Sequence, residues 1–272
     1  MSETSTDTIG LPSRAKVVTM RVAFVGKGGS GKSSIAGVFA RLLARNGERV
    51  LALDSDPMPG LAYSLGVPSH DPGIPAEAVE EYEDEDGQRR FRLRSGLDAA
   101  AAIVDYSSVG PDGVRLLQLG KARGLPRENA YSHQAYQLIV DALENDEWSV
   151  VGDLPGGTRQ PFFGWGRFAR TVLVVTEPTP ASLLSARRLS RLAQHSSAPR
   201  VLAVANKTRA DTDVRVIEHG TGLPVIGAIP YDGTQQDADR RGVALLDLDA
   251  ETPMVSAIAA LVSALTEQEA VR

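Results

Sequence analysis

From Met20 onward, short apolar runs alternate with amphipathic stretches, in the rhythm of strands and helices taken in turn. The run Arg21-Val22-Ala23-Phe24-Val25 predicts a buried strand, followed by a glycine-rich turn. Ile35, Val38, Phe39, Leu42 and Leu43 then recur at helical spacing, and the pattern stops near Asn46-Gly47, a helix-ending pair. Arg49-Val50-Leu51-Ala52-Leu53 predicts a second buried strand. Further strands are expected at Val114–Leu119, Ser149–Gly152, Thr171–Val175, Val201–Ala205 and Val225–Ile229. Helices are expected at about 127–145, 180–194, 211–219 and 252–267. Strands apolar on both faces, alternating with helices, imply an α/β fold: a mainly parallel twisted sheet with helices on both faces.

Two stretches break the rhythm. Residues 1–19 are rich in Ser and Thr and lack the apolar core of a signal peptide, so they read as a flexible tail or as sequence upstream of an alternative start at Met20. Residues 66–113 hold Pro68, Pro72, Pro75 and the acidic run Glu80–Asp86, and read as a surface insertion in a single domain spanning 20–272. The acidic run fits a solvated face better than a binding site.

Composition narrows the chemistry. With 29 Lys and Arg against 34 Asp and Glu, the net charge of −5 disfavours broad binding to nucleic acid or anionic lipid. The chain has no Cys, which excludes disulfides, thiolate nucleophiles and Cys-ligated zinc or iron–sulfur clusters. No run approaches the roughly 18 apolar residues of a membrane span. A cytoplasmic location fits these features.

The strongest chemical signal is Gly26-Lys27-Gly28-Gly29-Ser30-Gly31-Lys32-Ser33, the P-loop spacing G-x-x-x-x-G-K-[ST], with a strand before it and a helix after it. Glycines let the loop wrap phosphates closely, so that the backbone N–H groups of Gly28, Gly29, Ser30, Gly31, Lys32, Ser33 and Ser34 can face the anion. Lys32 is placed to reach the β- and γ-phosphates of a nucleotide, and the Ser33 hydroxyl to ligate Mg²⁺. Two further strands end in acids. Asp54 and Asp56 follow the second strand beside the P-loop, where parallel sheets bind ligands, and their separation of two puts them on one side of an extended chain unless it turns between them. Asp153 ends the strand at 149–152, where a carboxylate can hold Mg²⁺ directly or through water.

These motifs carry a resemblance. The second lysine, Lys27, gives Lys-Gly-Gly-x-Gly-Lys-Ser, which resembles the deviant Walker A box of the ParA, MinD, nitrogenase-iron-protein and arsenite-pump ATPases. From spacing alone Lys27 fits a solvated loop lysine equally well. The resemblance implies instead that Lys27 crosses a dimer interface to the partner's nucleotide, making an ATP-linked homodimer. Leu53-Asp54-Ser55-Asp56-Pro57 resembles the class's switch I, which implies that Asp56 orients or deprotonates the attacking water and Asp54 supports the Mg²⁺ region. Asp153-Leu154-Pro155-Gly156-Gly157 resembles its switch II, with Gly157 bending as the γ-phosphate is sensed.

Asn206-Lys207-Thr208-Arg209 resembles a base-reading segment, but Arg209 stands where a guanine-reading acid would be needed, which favours adenine. Asn206 offers an adenine edge both its amide oxygen and nitrogen. Ile229-Pro230-Tyr231-Asp232 resembles the loop that closes over the base, which places Pro230 and Asp232 at the nucleotide.

Within the class, Thr176-Glu177-Pro178-Thr179-Pro180, Leu119-Gly120-Lys121 and Asp239-Arg240-Arg241-Gly242 are most similar to the carbon monoxide dehydrogenase maturation ATPases, the CooC-like branch. That branch carries a metal-binding Cys-x-Cys pair near the position of Leu125–Ala130 here, so nickel delivery is not implied for this chain; Glu128 and His133 are the nearby residues able to ligate a metal. Two functions follow from the resemblance: a maturation- or chaperone-type ATPase acting on a client protein, or a ParA/MinD-like positioning ATPase. For the second, Arg187, Arg188, Arg191 and Arg200 are the best basic candidates for DNA. The C-terminal stripe Met254, Ile258, Leu261, Val262 and Leu265 has no basic side to suit a membrane surface, so it is expected to pack on the core.

Overall fold

In a computed structural model the protein is described over residues 19–56, 60–68, 73–120, 125–143, 147–157, 164, 166–194 and 200–270. Residues 1–18 of the expected tail, Pro57, Pro72 and the Lys121 of Leu119-Gly120-Lys121 lie outside these residues, as do 144–145 of the helix expected to reach 145.

Period-two alternation along the central strands divides the core into two layers. Strand β1 (Arg21–Gly26) sends Val22 and Phe24 to one face and Ala23 and Val25 to the other. The first layer is closed by α1 (Lys32–Arg45), α2 (Leu61–Leu65), α8 (Leu245–Leu248) and α9 (Pro253–Ala270), with Phe24 and Phe39 in edge-to-face contact at 5.4 Å between centroids. The second layer takes Ala102 and Ile103 of α3 (Ala99–Tyr106), Tyr136 and Ile139 of α4 (Pro126–Ala142), Leu189 of α5 (Pro180–Gln194) and Ile217 of α6 (Thr212–Thr221). The apolar stripe from Met254 to Leu265 is buried in the first layer, as the sequence led us to expect.

Among the described residues one sheet has eight strands. Its order is β10 (Val225–Pro230), β9 (Arg200–Thr208), β8 (Thr171–Thr176), β1, β7 (Ser149–Asp153), β2 (Val50–Asp54), β6 (Arg115–Gln118) and β5 (Ser108–Val109). All neighbours are parallel except β5, which pairs antiparallel with β6 at the edge. Because β7 lies between β1 and β2, the carboxyl ends of these three strands open on one spot.

The stretch 66–113 has more structure than its composition suggested. Its acidic run forms most of β3 (Val79–Glu83) in a separate hairpin with β4 (Arg89–Leu93), with Glu80 paired to Arg92 at 2.8 Å and Asp84 to Arg90 at 2.8 Å. The hairpin tip is exposed, yet Ile74, Ala78, Leu97, Ala102 and Ile103 from the same stretch are buried in the second layer. Asp112 also anchors it to α1 by accepting from the buried Arg41 at 2.7 Å; Arg41 binds Asp247 of α8 at 2.8 Å as well. Helix α7 (Gly233–Arg241) was not expected either, since Ala238 is the residue it buries.

Helix α2 sits where the chain leaves the carboxyl end of β2, and it rides directly on α1. A Cβ added at Gly37 would lie 2.5 Å from the Ser64 Cβ and 2.7 Å from the Ser64 carbonyl carbon, so the two helices touch through a position without a side chain. Gly37→Ala is therefore expected to lower stability by about 1–3 kcal/mol despite the better helix propensity of alanine, as overpacking outweighs it. Urea unfolding tests this; an unchanged midpoint would show that α2 does not rest on this contact.

Candidate functional site

The P-loop bridges β1 to α1, and its shape is held from the side by β9. Asn206 is buried at the end of β9 and donates from Nδ2 to the Ser30 carbonyl at 2.7 Å. That approach needs Gly31: its φ is +92°, and a Cβ there would lie 2.4 Å from Asn206 Nδ2. Lys207, at φ 56° in a register shift between β9 and β10, donates from Nζ to the Gly29 carbonyl at 2.9 Å and to Glu177 Oε1 at 2.8 Å. Two β9 side chains thus fix the loop's curvature before any ligand arrives.

Gly29, Gly31, Lys32, Ser33, Ser34, Asn206, Pro230 and Asp232 line one cavity of about 340 Å³. Lys32 is buried, while Ser30 is buried with no hydrogen-bond partner for its hydroxyl. Gly28 and Lys27 are exposed at the loop tip, where Lys27 Nζ makes a long contact, 3.4 Å, to the Gly28 carbonyl.

Behind the loop stand the two strand-end acids. Ser33 Oγ donates to Asp153 Oδ2 at 2.5 Å, and Asp153 Oδ1 is buried without a hydrogen-bond partner. Asp54 is the register partner of Asp153 across β2 and β7. Burial, then the neighbouring Asp153 charge, pushes the Asp54 carboxyl up to about 7, against hydrogen bonds from the Asp56 and Leu61 N–H groups. Burial likewise pushes Asp153 up to about 6, against Ser33 and Lys32. A hydroxyl, two crowded carboxylates and an orphaned carboxylate oxygen are the donor set of a hard divalent cation, so these residues fit Mg²⁺.

The chain does turn between Asp54 and Asp56. Asp56 N–H donates back to Asp54 Oδ1 at 3.1 Å, and the half-buried Asp56 stands close enough for its charge to be felt by Asp54 and Asp153. Gly157 N–H donates to the Pro155 carbonyl at 2.7 Å, and the adjacent Gly156 lies against Gly28, where an added Cβ would be 3.1 Å from the Gly28 nitrogen. The P-loop tip and the segment after β7 are therefore in contact.

Three of the expected residues are engaged within the fold. Asn206 gives one of its two amide hydrogens to the Ser30 carbonyl, which leaves its oxygen as an acceptor and its second N–H as a donor for a base. Asp232 lines the cavity but is spent on the fold: it caps α7 through Thr234 N–H at 2.9 Å and binds Met254 N–H at 3.2 Å. Burial opposes its charge, yet these bonds hold its carboxyl below the usual range. Glu128 accepts the Leu125 N–H at 3.0 Å and so closes the start of α4; among the described residues no group of three His, Asp or Glu side chains is assembled for a metal. Arg209 lies over the Tyr231 ring at 4.1 Å, so a cation stands where a guanine-reading acid would be.

The basic candidates are partly engaged as well: Arg187 donates to the Gly220 carbonyl at 2.8 Å and Arg200 to Gln268 at 2.5 Å. Among the described residues no helix is long and apolar enough to cross a membrane. Sequence reasoning passed over Lys207 and Glu177 as loop clamps. Both sat in quoted motifs, but their meeting depends on β8 and β9 being neighbours.

The comparisons with known proteins agree with this geometry. The carbon monoxide dehydrogenase accessory protein CooC of Rhodospirillum rubrum is 29% identical over 244 residues, which cover 84% of this chain and 90% of CooC. An ATP-binding protein of Methanocaldococcus jannaschii is 29% identical over 231 residues, 78% of this chain and 86% of that protein. Among solved structures, a ParA family ATPase from Chlorobium tepidum TLS superposes with a TM-score of 0.71 at 19% identity, covering 90% of this chain and 98% of that one. The septum site-determining protein MinD of Pyrococcus horikoshii OT3, complexed with Mg-ADP, gives 0.67 at 18% identity, with 93% and 98% covered. At those identities the structures establish the fold. Residues 22–246 match the CobQ/CobB/MinD/ParA nucleotide binding domain, and the chain belongs to that family.

Proposed function

We propose that this protein is a Mg²⁺-dependent ATPase that works as a nucleotide-switched homodimer on a client protein. The observation that carries this reading is the cluster at three adjacent strand ends: Lys32 and Ser33 below the P-loop, Ser33 bonded to Asp153, and Asp153 beside Asp54. The loop's backbone N–H groups bind the β-phosphate, Lys32 reaches the β- and γ-phosphates, and Ser33, Asp54 and Asp153 hold Mg²⁺ directly or through water. Bound Mg²⁺ supplies positive charge against that developing on the phosphate oxygens. Asp56, close to both of these acids, orients the attacking water and takes its proton. Gly157, beside the P-loop, bends as the γ-phosphate comes and goes. The 6-amino group of adenine meets the Asn206 oxygen.

The similarity to an accessory protein of carbon monoxide dehydrogenase supports a maturation- or chaperone-type role on a metalloenzyme client. The absence of Cys argues that a metal, if handled, is not held by thiolates of this chain. A ParA/MinD-like positioning role has less support, because Arg187 and Arg200 are engaged within the fold and α9 buries its apolar stripe.

Lys27 completes the proposal. Exposed at the loop tip and not needed for its own subunit's phosphates, it reaches the partner's ATP across a closed two-fold interface and offsets the repulsion between two nucleotides brought close together.

Two outcomes test this reading. Asp56→Ala is expected to keep Mg²⁺–ATP binding within about threefold while losing about 100-fold or more in turnover, because Asp56 acts on the water and not on the ground-state nucleotide. Phosphate release at saturating ATP measures it, and a variant with wild-type turnover overturns the assignment. Lys27→Ala is expected to bind nucleotide as a monomer while losing ATP-linked dimerisation and activity. Sedimentation with ADP and with Mg²⁺–ATP decides this; a wild-type dimer of equal strength in both states contradicts the switch.

A further inference from the structure

Helix α4 sends one polar side chain into the sheet's carboxyl end. Tyr136 is 2% exposed and packs in the second core layer with Ala135, Ile139 and Val140, where a phenylalanine would fill nearly the same space. Its hydroxyl faces the Ser55 side chain, near enough to interact with it, and is close enough to feel the charges of Asp54 and Asp153. Burial, then the Asp54 charge, pushes the phenol's pKa upward, so it stays protonated. A buried hydroxyl gains only about 1 kcal/mol from a hydrogen bond and costs as much or more when left unpaired, so stability alone gives little reason for a tyrosine here.

Its partner is the informative residue. Ser55 stands between Asp54 and Asp56, and it donates twice to the Asp153 carbonyl, from its backbone nitrogen at 3.2 Å and from Oγ at 3.2 Å. Ser55 therefore ties the segment after β2 to the end of β7, and Tyr136 ties that junction to α4. About one and a half turns earlier on the same helix, Tyr131 donates to Glu81 of β3 at 2.7 Å and meets Phe91 of β4 edge-on at 5.3 Å. The position of the two acids is thereby referenced to α4 and the hairpin as well as to the P-loop.

We infer that Tyr136 is a positioning residue for ATP hydrolysis: by holding Ser55 against the end of β7, it sets where the Asp56 carboxylate stands relative to the nucleotide. The inference rests on the ATPase reading above. Tyr136 touches neither phosphate nor water in this scheme; it acts through Ser55. Its removal should leave nucleotide binding intact, since the P-loop is held separately by Asn206 and Lys207. What is lost is the alignment of one acid, and catalysis is steeply sensitive to small misplacements.

The test is steady-state ATP hydrolysis by the full chain and by Tyr136→Phe, Ser55→Ala and the double variant, with thermal unfolding of each. Both single variants are expected to lose about tenfold in kcat with KM for ATP within about twofold and a nearly unchanged unfolding midpoint. The double variant is expected to be no slower than the worse single one, because both substitutions break the same tie. A Tyr136→Phe enzyme within about twofold of wild-type kcat overturns the inference. Losses that multiply in the double variant overturn it too, as does a fall in kcat that comes with a raised KM and a lowered midpoint. A wild type that shows no turnover overturns the ATPase reading itself and this inference with it; an active wild type with an equally active variant overturns the inference alone.

Discussion

Strand β7 enters the sheet between β1 and β2, and in doing so it sets Asp153 directly beside Asp54 in a buried place. Two carboxylates that cannot both ionise without cost are thereby fixed next to the P-loop serine. Their raised pKa values have a definite sign. The stability tied to these two groups is fully present below the ordinary carboxylate range, and it is lost as pH rises through about 6 and about 7. At neutral pH the cluster therefore carries an electrostatic cost, which the proposed Mg²⁺ would relieve. Binding sites that carry such a cost gain from it, because relief of the repulsion adds to the differential affinity for the occupied state.

The remaining contacts preorganise what surrounds that pair. The P-loop is clamped by Asn206 on Ser30 and by Lys207 on Gly29, with Glu177 holding the lysine from β8's end. Asp56 is turned back by its bond to Asp54, and α2 is seated on α1 through Gly37. Little ordering is left for the moment of binding, which keeps the entropic cost of closing the loop on phosphate small. By contrast, Lys27 and Gly28 are exposed, and Gly156 and Gly157 follow β7 at the P-loop tip. Those are the parts a γ-phosphate and a second subunit would engage.

Much of this was legible from residues alone, for physical reasons. Central parallel strands are apolar on both faces, so Val22–Val25 and Val150–Val151 announce themselves, and the P-loop's spacing is local. Asp54 and Asp153 were readable because each ends such a strand. The hairpin was not, since β3 and β4 are held by cross-strand Glu–Arg pairs and expose most of their surface. Helix α7 was hidden for a similar reason, with Ala238 as its buried residue. Asn206 and Asp232 were found, but a sequence does not show that Ser30, Thr234 and Met254 already engage part of their hydrogen-bonding capacity. Tyr136 falls within the helix expected at 127–145, and its approach to Ser55 depends on α4 packing at the sheet's carboxyl end.

The central claim is that this strand-end cluster takes Mg²⁺ and ATP together, with adenine preferred where Arg209 replaces a guanine-reading acid. Calorimetric titration with ATP and GTP, each in Mg²⁺ and in EDTA, addresses it most directly. The account requires ATP to bind at least about tenfold more tightly with Mg²⁺ than without it, and more tightly than GTP. Equal affinity for the two nucleotides, or ATP binding indifferent to Mg²⁺, would contradict it.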